Sequence, residues 1–185
     1  MLQVMATKMT PLEERRFFSF KRSVPSKVND LELVCDQVRH ICRYDWMLFE
    51  NVELDRRMKI EFALIGPKGL FLVLVNQEAA VLLSDQTYHV EDEQRVQRVE
   101  QRHPVIEAQR LTKHVKSLLK AEGVSIPVHT MIVFKQAPKL RMTRVKFPIG
   151  QSFAAIKPWI ARRQGTPVTE KDRKQVAFIL ANHQK

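Results

Sequence analysis

Lys59 and Glu61 stand two residues apart in the run Met58-Lys-Ile-Glu-Phe-Ala-Leu-Ile65, and Asn76 and Glu78 stand two apart just after Leu70-Phe-Leu-Val-Leu-Val75. On a strand, positions i and i+2 share a face, so a lysine and two carboxylates from neighbouring strands can converge. Carboxylate oxygens hold a hard divalent cation, and a nearby ammonium assists an attacking water, which is the equipment of metal-assisted hydrolysis. The plainer reading of the same residues is structural. Lys59 and Glu78 are then solvated strand-end charges, Glu61 is a paired or capping carboxylate, and Glu32 completes a capping box with Asn29.

Other chemistry finds little support. The six histidines (40, 89, 103, 114, 129 and 183) show no HxxxH or His-Cys spacing, and Cys35 and Cys42 lack the CxxC separation of a zinc knuckle. Both cysteines read as reduced core thiols in a cytoplasmic protein, since two alone make no disulfide framework. Gly66 and Gly69 flank a strand turn with no helix behind it, so no phosphate-cradling loop is formed. There is no Gly-x-Ser-x-Gly elbow for a serine nucleophile.

Charge gives a second lead. The formal net charge is +11, and the last 51 residues hold 12 basic side chains against 2 acidic ones. A field so concentrated attracts polyanions, either nucleic acid or an anionic membrane surface. Lys139, Arg141, Arg144 and Lys146 crowd one short stretch, and Lys157, Arg162 and Arg163 surround Trp159. These cations suit phosphates without sequence preference. Trp159 itself reads as core, because Phe153, Ile156 and Ile160 lie beside it at helical spacing. The bland alternative is a solvated face that only keeps the chain soluble.

The elements that must position these groups are legible as periods. Leu31, Val34, Cys35, Val38, Ile41 and Cys42 recur at three and four residues, giving a helix from Asn29 or Asp30. Trp46–Glu53 and Met58–Ile65 read as paired strands, and the Gly66-Pro-Lys-Gly69 turn sends the chain into Leu70–Val75, a three-strand antiparallel meander. The unbroken apolarity of Leu70–Val75 implies cover on both faces. It is far shorter than the roughly 20 residues that span a bilayer, so no membrane span is expected. Met1–Met9 contains Lys8 and lacks the apolar region of a signal peptide, so export is not expected either. Ala80–Leu83 and Thr87–Val90 are shorter strand candidates; residues 91–102 read equally as solvated helix or loop. A long helix starts at Pro104 with the stripe Val105, Ala108, Leu111, Val115, Leu118 and Leu119, and with Lys113, Lys116 and Lys120 on its other side. Val128–Phe134 is a further buried strand. Lys139–Phe147 reads as a basic strand or edge ribbon, with two closing helices at about 151–163 and 169–183.

These elements give an α/β (α+β) fold, a central mixed sheet with the meander, flanked by helices. Its 185 residues suit one domain. Residues 1–27 form an N-terminal arm, 28–135 the core, and 136–185 a basic strand and helices completing the same domain.

With the motifs in place, the chain resembles the nuclease-related domain family, a branch of the PD-(D/E)XK nuclease fold, from about Leu31 to Ala181. The resemblance rests on Leu31-Glu32, where the family has Gly-Glu, on Phe49-Glu-Asn-Val52, and on Lys59-Ile-Glu-Phe-Ala-Leu-Ile-Gly-Pro-Lys-Gly69. It continues through Leu70-Phe-Leu-Val-Leu-Val-Asn-Gln77, His103-Pro-Val-Ile-Glu107 and Val128–Phe134. It implies a restriction-endonuclease-like fold and Mg²⁺-dependent phosphodiester hydrolysis. The family's helix Glu matches Glu32, and its first strand acid matches Glu61 in place of the usual Asp. The second acid falls on Leu74 and the lysine on Asn76. Glu107 stands where the family's Pro-x-x-Gln segment has Gln.

Leucine cannot ligate a hard cation, and asparagine has neither the charge nor the proton that steadies a developing pentavalent phosphate. Losing several kcal/mol of such stabilisation slows chemistry by orders of magnitude. The expectation is a nuclease fold that is not an enzyme and needs no cofactor, binding nucleic acid, DNA ahead of RNA, through its basic C-terminal surface. One alternative is a protein-interaction or oligomerisation module, with a second copy as candidate partner and Leu74 plugging the former site. Another is a residual Mg²⁺-dependent nuclease on the relocated Lys59 and Glu78, with Glu61 as the candidate metal ligand.

Overall fold

The computed structural model describes residues 2–5, 9–10, 29–39, 45–55, 58–77, 81–84, 88–90, 103–136, 139–141 and 147–183. Asn29, in extended backbone, caps α1 (Asp30–Val38) by accepting the Leu31 N–H at 3.3 Å. Val34 and Val38, one turn apart, bury the inner face of this helix. The part of the stripe expected to run on to Cys42 lies outside the described residues, as do residues 91–102.

β3 (Trp46–Asp55), β4 (Met58–Gly66) and β5 (Gly69–Asn76) form the antiparallel meander. Its second turn depends on Gly69, whose φ of 123° suits glycine and where a Cβ would lie 2.5 Å from the Pro127 carbonyl oxygen. That close approach lets Leu70 N–H donate to the same oxygen at 2.9 Å, which starts the parallel pairing of β5 with β8 (Val128–Phe134). The connection between them contains α2 (Pro104–Ala121), capped by His103, whose Nδ1 accepts the Val105 N–H.

β10 (Ile149–Gly150) adds to the far side of β8, and β1 (Leu2–Met5) adds in parallel to β3 with β2 (Met9–Thr10) beyond it. The main sheet therefore has the order β10-β8-β5-β4-β3-β1-β2. Residue periodicity assigns no element to the N-terminal arm. Its described parts are strands that extend the sheet, because strands this short take their stability from backbone pairing, which leaves no period in the sequence. β6 (Val81–Ser84) and β7 (Tyr88–Val90) fall within a residue of the expected positions. They join β9 (Lys139–Arg141) in a separate three-stranded sheet of order β7-β6-β9, a second sheet that periodicity alone does not announce.

Two cores sandwich the main sheet. On one face Leu48, Phe62, Leu64, Phe71, Val73 and Val133 pack against α1 and α3 (Ile156–Ala161), the latter entered through a 3-10 turn at Phe153–Ala155. On the other, Phe49, Ala63, Ile65, Leu70 and Leu72 pack against α2 and α4 (Glu170–Asn182). The alternation along β4 and β5 thus sends neighbouring residues to opposite layers, as the continuous apolar run requires. Trp159 is buried, edge-on to Phe71 with ring centroids 5.3 Å apart. Cys35 is half-buried against the same core, and Cys42 lies outside the described residues. Among the described residues no helix is long and apolar enough to cross a membrane.

Candidate functional site

The β4–β5 ladder runs from Gly66↔Gly69 to Phe62↔Val73, whereas β5 stays paired with β8 out to Asn76↔Phe134. Beyond Phe62 the two antiparallel strands part. At the parting point the Glu61 side chain takes over the role of a rung, with Oε2 accepting the Val75 backbone N–H at 3.1 Å. The gap opens toward α2 and forms a cleft of about 700 Å³.

Strand alternation decides which side chains face it. Lys59 and Glu61 line the cleft from β4, and Leu74 and Asn76 from β5, the two pairs that i, i+2 spacing assigns to common faces. From α2 come Glu107, Arg110, Lys113 and His114. Burial pushes the Glu61 carboxyl above the ordinary range and the charge of Glu107 adds to that push; hydrogen bonds from backbone N–H groups and the Lys59 ammonium oppose it.

Residues 29–135 match the model of the nuclease-related domain family. The chain belongs to that family. No curated protein and no solved structure matches it.

The cleft of this nuclease-related domain is lined by the residues that the resemblance matches to the family's strand positions. Glu61, Leu74 and Asn76 stand together there, joined by Lys59. Glu32 does not: it is exposed on α1, which covers the opposite face of the sheet. The α1 carboxylate that reaches the sheet is Asp30, paired with Lys135 at 2.9 Å and accepting from Gln77 Nε2 at 3.3 Å. Glu78 lies outside the described residues.

The Mg²⁺ that the resemblance implies has a clear requirement, namely oxygen ligands in near-octahedral geometry from one or two carboxylates. The family's strand positions provide one carboxylate here. One oxygen of that carboxylate is already committed to Val75, and burial favours its protonated form. The Leu74 side chain offers no oxygen. Among the described residues no three His, Cys, Asp or Glu side chains are grouped to hold a metal ion. The strand positions alone therefore do not supply the implied pair of carboxylates; among the described residues the second carboxylate of the cleft is Glu107 of α2.

The basic residues separate into two surfaces. Lys157 and Arg162 are exposed on and just after α3, across the sheet from the cleft. Arg163 is half-buried, with Nε buried and without a hydrogen-bond partner. Together with burial, its charge holds His129 below the ordinary imidazole value. Lys139 and Arg141 lie on β9, and Arg144 and Lys146 fall outside the described residues. The cations beside the cleft, Arg110 and Lys113, belong instead to α2. The charge tally passed over this helix because it lies in a stretch with no net positive excess. The helical period held the signal: Glu107, Arg110, His114 and Ser117 recur at three and four residues along one flank of the buried stripe, and all four line the cleft.

Proposed function

We propose that this chain is a nuclease-related domain that holds nucleic acid by its phosphates without hydrolysing it. The observation that carries the reading is the wall of the cleft, where Leu74 and Asn76, which the resemblance matches to the family's second acid and lysine, stand beside Glu61. At these two positions a hydrocarbon and a neutral amide supply neither the carboxylate nor the ammonium that the family's chemistry uses. Arg110 and Lys113 remain to neutralise phosphate charge at the mouth, and Lys157 and Arg162 offer further contacts on the opposite layer. Contacts of this type position a backbone and carry no sequence information. DNA is the first candidate.

The test incubates the protein with end-labelled DNA in Mg²⁺ or Mn²⁺ and follows both complex formation and strand length. Retained complex with intact DNA is expected. Metal-dependent shortening would overturn the reading in favour of a relocated site in which Glu107 joins Glu61 and Lys59. Absence of any complex would favour a protein-interaction module.

A further inference from the structure

A second, shallower groove of about 340 Å³ runs along α2 and shares Lys113 and Ser117 with the cleft, so the two depressions adjoin. Lys116 and Lys120 line it, and at its side lies Phe147, half-buried against the small core of Val105, Ala108, Ile132 and Phe134. Lys113, Lys116 and Lys120 succeed one another at three- and four-residue spacing, and so follow one edge of the helix for about 10 Å. Among the described residues no carboxylate lines this groove, whereas Glu61 and Glu107 stand in the cleft.

An aromatic side chain anchored on a core and bordered by a row of ammonium groups is the arrangement that receives an unpaired base with its flanking phosphates. A duplex keeps its base faces stacked and hidden, and depressions of a few hundred Å³ are the size of small-molecule pockets rather than of a double helix. We infer that the α2 groove is a single-strand track, in which a base stacks on Phe147, phosphates follow Lys120, Lys116 and Lys113, and the strand continues past Ser117 into the cleft. This rests on the proposal above that the domain binds nucleic acid, and it specifies the strandedness and the path.

Fluorescence anisotropy with the full-length chain and labelled oligothymidylate, oligouridylate, a duplex of equal length, and an abasic strand tests it. Oligothymidylate or oligouridylate should bind more tightly than the duplex and at least about fivefold more tightly than the abasic strand, the lower end of what one stacked base contributes. The two oligomers separate a DNA preference from an RNA one. Phe147→Leu, which keeps the apolar filling, should remove most of the preference over the abasic strand, and Phe147→Tyr should restore it. The exposed-site changes Lys116→Gln and Lys120→Gln, which burden folding least, should each weaken single-strand binding and flatten its salt dependence. Equal binding of duplex and single strand with a steep salt dependence would overturn the track while leaving the nucleic-acid reading intact. Absence of salt-dependent binding to every probe would overturn both.

Discussion

Glu61 accepts the Val75 backbone N–H at 3.1 Å just beyond the last rung of the β4–β5 ladder, so a carboxylate closes the strand pair where the cleft begins. The same placement buries it and holds its pKa above the ordinary carboxylate range. Between the ordinary value and the raised one, the unfolded chain has released this proton while the folded chain keeps it. Stability therefore falls as pH rises through that window and levels off above the folded-state value. Glu61→Gln removes this titration. Denaturant unfolding followed upward from the ordinary carboxylate range of about pH 4 should show a flatter profile for the variant. Parallel profiles would mean that the carboxylate is not held in its protonated form.

If Leu74 and Asn76 are what silence the cleft, putting the missing groups back should restore chemistry. Leu74→Glu combined with Asn76→Lys is expected to gain Mg²⁺-dependent DNA cleavage over the wild type assayed beside it. Each ~1.4 kcal/mol of recovered transition-state stabilisation raises the rate tenfold. A gel-based cleavage assay beside a circular-dichroism melt separates failure of chemistry from failure to fold. A folded, metal-supplied double variant without activity would show that more than these two groups is missing.

Phe71 joins the sheet to the α1/α3 layer. It is fully buried, its ring centroid lies 5.6 Å from that of Trp46 and 5.3 Å from that of Trp159, and His129 stacks on it at 4.8 Å. Phe71→Ala should cost about 3–5 kcal/mol, measured by urea unfolding. A loss below about 1 kcal/mol would imply that the aromatic cluster repacks around the gap.

The meander, α2 and β8 were legible in the sequence because each buries a face whose period is written in its apolar residues. The positions of Glu61, Leu74 and Asn76 on one wall followed from strand alternation once the turn at Gly69 fixed the register. The pairing of β1 with β3 and the separate β6, β7 and β9 sheet were not legible, since backbone hydrogen bonds leave no side-chain signature. Glu32 illustrates a different limit: a helix carboxylate was assigned by local motif, yet which face α1 covers is decided by packing at Val34 and Val38. Arg110 was missed for the opposite reason, because a charge tally averages over the helix face that concentrates it.

The salt dependence of oligonucleotide binding, measured for the wild type and for Arg110→Gln and Lys113→Gln, tests most directly whether the cleft and α2 hold phosphates. For the wild type, log K should fall linearly with log salt concentration, and each variant should reduce the slope by about 0.7 to 0.9, the contribution of one phosphate contact on single or double strands. A wild-type affinity indifferent to salt, or variants with unchanged slopes, would contradict phosphate binding at this site.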